Sequence, residues 1–318
     1  MPEHGSRLAV YAAITANGAL AVTKFTVAML ASSSAMLSES IHSLVDTGNQ
    51  ALLLVGLERA ERPADTLHPF GYGKELYFWS LIVAIVLFGA GGGMSFYEGI
   101  RHLVQPVPIG DPTWSYVALG VAALFEGGSW IVGLRQLLRA EGETNPWRAM
   151  WQSRDPAVMT VVAEDTAALT GLAIAFAGVF CARRFEAPIA DALASMGIGL
   201  TLATVSLFLI YQSRGLLIGE GASAEVVESI QSLAESDEAV ARARRPLTMQ
   251  LGPGVLLVNL DLRFREELSA AAVAEAVDRI EGRIRAAHPD VAYIFLEARG
   301  LSGREESRPA RRPASSSA

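Results

Sequence analysis

Six apolar stretches, each with few charges or none, fill the chain from Leu8 to Leu217. They cover about Leu8 to Ala31, Ser34 to Leu57, Leu76 to Leu103, Trp114 to Leu138, Pro156 to Ala182 and Ala190 to Leu217. At 1.5 Å per residue each can cross roughly 30 Å of hydrocarbon with some tilt. The pattern predicts six transmembrane helices. Its polar exceptions are few: Lys24 in the first stretch, Glu39, His42 and Asp46 in the second, Glu126 in the fourth, and Glu164 with Asp165 in the fifth.

After Gly221 the periodicity changes. Glu225 to Ser236 reads as a helix, and Thr248 to Gly252 and Val255 to Phe264 read as strands joined by a Gly252-Pro253-Gly254 turn. In the second strand Val258, Leu260, Leu262 and Phe264 alternate with Asn259, Asp261 and Arg263, as in a sheet covered on one face. Ser269 is placed to cap a further helix with an apolar stripe at Val273, Val277, Ile280 and Ile284, and Val291 to Arg299 gives a third strand. The expected architecture is an α-helical membrane protein: six transmembrane helices over residues 8–217, then a small cytoplasmic α+β (ferredoxin-like) domain over residues 222–301. Residues 1–7 form a short polar cytoplasmic segment. The apolar run after them is too long for a signal peptide and is expected to remain as the first span. The tail, residues 302–318, is rich in Arg, Pro and Ser and is expected to be disordered.

Composition supports a membrane setting. The chain is 51% hydrophobic and 19% charged, with a mean hydropathy of +0.32, which is too apolar for an ordinary soluble domain. A formal net charge of −7 argues against a nucleic-acid partner. The single cysteine, Cys181, excludes an intrachain disulfide framework and a multi-cysteine zinc site. Basic residues concentrate in the connections on the side of the termini (Arg59, Arg62, Lys74, Arg135, Arg139, Arg148 and Arg154), which predicts both termini in the cytoplasm. The expected location is a bacterial inner (cell) membrane.

The candidate chemistry lies on the second and fifth spans. His42 and Asp46 stand four residues apart, so a helix puts both on one face one turn apart, with Glu39 near the same face. Ionisable groups at membrane depth cost about 2.5–3.5 kcal/mol each on insertion scales, so they mark a pathway or a site more often than packing. An imidazole and a carboxylate on one face form half of a divalent-metal site. On the fifth span Glu164 and Asp165 are neighbours, about 100° apart around the helix, and cannot both aim at one point. An intramembrane metallohydrolase would require a motif such as a helical HExxH, and a cation channel a re-entrant filter or an acidic ring. The sequence has neither. Gly89, Gly91, Gly92 and Gly93 on the third span suit tight packing, close helix approach or a hinge.

Three motifs together resemble the cation diffusion facilitator family, the transporters that export zinc and related divalent ions. They are SESIHSLVDTGNQ on the second span, HPFGYGKE entering the third and EDTAALTG on the fifth, and the likeness extends over residues 8–299. Glu126 and the Glu164–Asp165 pair resemble the branch that includes the mitochondrial-type zinc transporters. The resemblance implies a transport site with two ligands from each of these spans, each pair spaced by four, at His42, Asp46, Val161 and Asp165. Val161 departs from that pattern; Glu164, Glu39 or water could complete the set. It also implies a second site at Asp65 and His68, where Tyr72 stands in place of a further histidine; the alternative is that both residues shape the loop. The metal cluster of the family's cytoplasmic domain is not recognisable, since that domain offers only His288, read here as a solvated loop residue before Pro289. Implied with these are a homodimer in a lipid bilayer, no resident cofactor, no enzymatic activity, and proton-coupled export of zinc, with manganese, iron or cobalt as alternatives. Proton coupling suits the donors, because metal must displace protons from them and an unperturbed imidazole titrates near pH 6.5.

Overall fold

The computed structural model describes residues 4–106 and 111–299. The expected disordered tail and residues 1–3 of the expected N-terminal segment lie outside these residues. The chain divides into a helical unit ending at Glu220, with Gln250–Gly254 grouped into it, and a strand-containing unit from Gly221 onward.

The helical unit contains α1 (His4–Ala31), α2 (Ser34–Ala60), α3 (Glu75–Val86), α4 (Met94–Val104), α5 (Thr113–Glu141), α6 (Pro146–Gln152), α7 (Pro156–Arg184) and α8 (Ile189–Ile218). A π-helical stretch at Leu87–Gly93 joins α3 to α4, so the two run on as one 30-residue helix. Among the described residues four helices are long and apolar enough to cross a membrane, namely Glu75–Val104, Thr113–Glu141, Pro156–Arg184 and Ile189–Ile218. This is a helical membrane domain with four candidate spans. α1 and α2 are of similar length, 28 and 27 residues, but α2 is far more polar along its buried side.

Local sequence accounts for the helix ends. Asn145 and Asp155 each accept backbone N–H bonds ahead of a proline in the first turn, starting α6 and α7. Gly142 and Gly219 close α5 and α8 with φ of 64° and 112°, a left-handed conformation that costs a residue without Cβ least. The short helix α6 escapes a reading of hydrophobic pattern because its seven residues are too few to show a period.

In a bilayer, helices gain little from apolar burial against one another, so close contact and interhelical hydrogen bonds carry the packing. The long helix through α3 and α4 meets α8 backbone to backbone. A Cβ on Gly92 would come within 3.0 Å of the Gly199 carbonyl oxygen, and one on Gly99 within 2.8 Å of that of Ala192. Of the glycines flagged on this span, Gly92 therefore serves close approach, while Gly89 has open space around it. At the start of α2, Asp191 of α8 accepts hydrogen bonds from the Ser34 backbone N–H (2.5 Å) and the Ser33 and Ser34 hydroxyls (2.6 and 2.8 Å). This buried carboxylate caps a helix N-terminus, where backbone donors and the dipole favour negative charge. It anchors α2, the helix that carries more of the buried polar groups than any other described helix.

The second unit contains α9 (Ala224–Glu235), β1 (Val240–Ala243), β2 (Leu247–Gly252), β3 (Val255–Phe264), α10 (Ala270–Ala287) and β4 (Val291–Arg299). β3 is central: β1 pairs with its C-terminal end in antiparallel register, Val240 opposite Phe264, while β4 runs parallel to it from Leu256 to Arg263. The alternation predicted for β3 is present, with Val258, Leu260, Leu262 and Phe264 buried against Ile230, Ile280 and Ile284 of the helices. The strand β1 was not anticipated. It is four residues long, carries a register irregularity, and its VARA sequence lacks a readable alternation. Asp237, just before it, is held by Arg279 and Arg283 of α10 at 3.1 and 2.7 Å, which keeps its carboxyl below the usual range, chiefly through the Arg279 hydrogen bond.

Candidate metal-transport site

The interior of the helical unit is polar along one line of α2. Ser38, Glu39, His42, Ser43, Asp46 and Asn49 are all buried there, and α2 packs against α1, α3, α7 and α8. These residues recur at intervals of three and four, so one face of the helix presents them in sequence. Every one of them must find a partner or remain unsatisfied in a medium without water.

At one end of this line the charges are paired. Lys24 of α1 is fully buried; its ammonium donates to Ser43 Oγ at 2.7 Å and to Glu39 Oε2 at 3.3 Å, and lies 3.7 Å from Glu126 Oε1 of α5. Glu39 in turn lies against Gly171 of α7, where any larger residue would collide with its carboxylate. Sequence reasoning singled out Lys24 as the one deep basic residue but not its partners. Lys24 is matched to Glu39 and Glu126, leaving the acids of α7 without a buried cation.

In the middle of the line the groups are not satisfied. His42 Nε2 and Asp46 Oδ2 stand 3.4 Å apart. Among the described residues neither ring nitrogen of His42 has a hydrogen-bond partner, and neither does Asp46 Oδ1. The two acids of α7 diverge as their adjacent positions require. Glu164 is buried and its Oε1 accepts a 2.6 Å hydrogen bond from Asn49 Nδ2 on α2, whereas Asp165 is half-buried and accepts a 2.7 Å bond from Ser129 Oγ on α5. Asn49 and Ser129 were not picked out from sequence; their spacing from Asp46 and Glu126, three residues in each case, was the available signal. Among the described residues, no three His, Cys, Asp or Glu side chains converge closely enough to hold a metal ion.

Val161, the position that departs from the expected ligand pattern, lines a cleft of about 250 Å³ together with Gln50, Leu53, Leu57, Gly133 and Gln136. The cleft lies between the C-terminal part of α2, α5 and the N-terminal part of α7, one turn beyond Asp46 and Glu164. Gln50 Oε1 is buried there without a hydrogen-bond partner among the described residues.

Asp65 and His68 are in a different situation. Both are about half exposed, in the connection between α2 and α3. Asp65 Oδ1 accepts from the backbone N–H groups of Leu67 and His68 at 2.9 and 2.7 Å, and Oδ2 accepts from the Tyr72 hydroxyl at 2.7 Å. The His68 ring sits 3.3 Å from Asp65 Oδ1 and 4.2 Å, centroid to centroid, from Tyr72. The Tyr72 hydroxyl, then the His68 N–H, hold the Asp65 carboxyl down at about 2. His288, expected as a solvated loop residue, is half-buried as the C-cap of α10 and shares a 2.8 Å hydrogen bond with Ser229 Oγ. The close of α10 against α9 removes it from free solvent.

The helical unit thus buries a His–Asp pair whose ring nitrogens and one carboxylate oxygen lack hydrogen-bond partners among the described residues. The family model described as the cation efflux transmembrane domain matches residues 10–218. The chain belongs to the cation efflux family. It is similar to the mouse (Mus musculus) protein named proton-coupled zinc antiporter SLC30A9, mitochondrial, at 34% identity over 272 residues, which is 85% of this chain and 48% of that one. Metal tolerance protein C4 of Arabidopsis thaliana is 31% identical over 268 residues, 84% of this chain and 58% of that protein. The cation-efflux pump FieF of Escherichia fergusonii is 25% identical over 249 residues, 78% of each. This chain spans about half the length of the antiporter it matches. These relatives support the mitochondrial-type branch and overturn the expected bacterial inner membrane, because the strongly similar names are mitochondrial. Membrane localisation stands; the bacterial compartment read from sequence does not.

Proposed function

We propose that this chain carries divalent cations, zinc foremost, across a membrane in exchange for protons, and that it is a transporter rather than an enzyme. The observation that carries the reading is the His42–Asp46 pair, buried in the interior of the helical unit with both ring nitrogens and one carboxylate oxygen lacking hydrogen-bond partners among the described residues. A borderline-soft imidazole nitrogen beside carboxylates favours zinc over harder ions such as manganese. The set proposed to bind it is His42 and Asp46 with an acid of α7, Glu164 or Asp165; Glu39 is committed to Lys24, and Asp65 with His68 serves the loop. The names of the relatives, two of which speak of a zinc antiporter and a cation-efflux pump, support the same direction of transport.

The cleft lined by Val161 and Gln50 is the proposed route to the site from the polar ends of α2 and α7. Metal entering by it displaces protons from His42 and the carboxylates, and protons returning from the other side displace the metal. Six spans fit this scheme, with α1 and α2 crossing alongside the four more apolar helices. Their 28 and 27 residues would reach about 40 Å, enough for the hydrocarbon layer. Exposed Phe25, Leu44, Phe88, Phe125, Phe180 and Leu200 would face lipid. The order α9, β1, β2, β3, α10, β4 supports a small α+β second domain over residues 222–301, and the family resemblance implies that two copies assemble. The test is zinc counterflow in proteoliposomes. Imposed proton gradients should drive zinc in the opposite direction and saturably, whereas zinc flux that ignores the proton gradient would refute the antiport.

A further inference from the structure

The two acids of α7 have been given equal standing, yet they are not held alike. We infer that Glu164, positioned by Asn49, is the carboxylate that α7 contributes to the transported cation, and that Asp165 is committed to α5 through Ser129. The inference rests on the transport reading above and sharpens which residues of the site do the binding.

Three observations carry it. The 2.6 Å bond from Asn49 Nδ2 to Glu164 Oε1 links α7 to α2, the helix of His42 and Asp46. Asn49 is three residues beyond Asp46, on the same face, and is fully buried, as is Glu164. Asp165, about 100° around the helix, is only half-buried and is bonded to Ser129 instead. An amide suits the positioning task. Its N–H₂ donates to one oxygen of an ionised carboxylate and leaves the other free for a cation, whereas an aspartate at 49 would repel it. The carbonyl end of Asn49 is itself buried and without a hydrogen-bond partner among the described residues, so it adds a neutral oxygen to the same face of α2, one turn beyond Asp46. The residue four before Asp165 is a valine; the chain compensates by moving the α7 carboxylate one position back and fastening it from α2.

The experiment measures zinc affinity and zinc transport by the full chain, solubilised and then in proteoliposomes, for a set of variants checked for folding by thermal melting. Glu164→Gln should weaken zinc binding about a hundredfold and Asp165→Asn by less than about fivefold, since the first removes a ligand and the second only a nearby charge. Asn49→Ala should cost about tenfold to a hundredfold, the range for a partner that orients a metal ligand. The decisive readout is coupling. In the Glu164→Gln background Asn49→Ala should cost little more, because its effect passes through Glu164. A merely structural Asn49 would instead add its full penalty in both backgrounds. Additive penalties, or a larger loss from Asp165→Asn than from Glu164→Gln, would overturn the inference while leaving the transport reading intact. A native chain that neither binds nor moves zinc would sink both.

Discussion

His42 with Asp46 and His68 with Asp65 are the same two side chains in two settings. Each pair stands within one helical turn in sequence, and the ring-to-carboxylate distances are nearly equal, 3.4 and 3.3 Å. Yet Asp65 accepts hydrogen bonds from two backbone N–H groups and a tyrosine hydroxyl, and water can reach what remains. The buried pair has open nitrogens and an open oxygen where water is scarce. A satisfied carboxylate has little to gain from a metal ion. An unsatisfied one at membrane depth gains back the cost of its burial when a cation arrives. The difference between the loop clasp and the proposed transport site therefore lies in the surroundings of the pair and not in its composition.

The largest effect should come from Asp46→Ala. Loss of one carboxylate from a small ligand set should lower zinc transport in proteoliposomes by about a hundredfold or more, exceeding the penalty for a residue that only orients a ligand. Full flux through a correctly folded variant would erase the contrast between the two pairs. His42→Asp should keep transport but replace a borderline-soft nitrogen with a hard oxygen, moving preference toward manganese by about tenfold. An unchanged profile across a panel of metals would show that the imidazole does not touch the ion.

Val161→His sharpens the comparison from the other side. It places an imidazole in the cleft wall, four residues before Asp165 and three before Glu164. A tighter site loads more readily and releases more slowly, so the apparent KM for zinc should fall a few-fold along with the maximal rate. If neither changes, the cleft does not lead to the site.

Asp237 offers a satisfied acid for calibration. Its carboxyl is held below the ordinary range by Arg279 and Arg283, so its stabilising effect is present above the unfolded value near 3.9 and is lost as pH falls through the depressed folded value. Asp237→Asn should destabilise the strand-containing unit by about 1–2 kcal/mol at neutral pH, with a difference from the native chain that shrinks in acid. A denaturation series across pH measures it. The smallest effect belongs to the loop: Asp65→Asn and His68→Ala should each change zinc transport by less than about twofold, because that pair serves the fold of the connection. A loss comparable to that of Asp46→Ala would place the loop in the metal pathway.

Much of this molecule is decided by pattern. Long apolar runs specify a membrane helix because backbone polar groups in lipid must be paired within the segment, so the ends of α5, α7 and α8 fall within a few residues of where the hydrophobic runs begin and stop. The strict alternation of Val258 to Phe264 likewise admits one covered face. Short elements such as β1 and α6 show no period and emerge only when neighbours complete them. The candidate site divides the same way. That His42 and Asp46 share a face, and that Glu164 and Asp165 cannot, follows from 3.6 residues per turn alone. Which acid of α7 meets α2 depends on the rotation of one helix against another. About 100° of rotation separates an α7 that offers Glu164 to Asn49 from one that offers Asp165, and that angle is set by packing among helices far apart in sequence. Lys24 is the same kind of case: the chain shows a buried charge, and only the meeting of α1, α2 and α5 shows that Glu39 and Glu126 neutralise it, leaving His42 and Asp46 open.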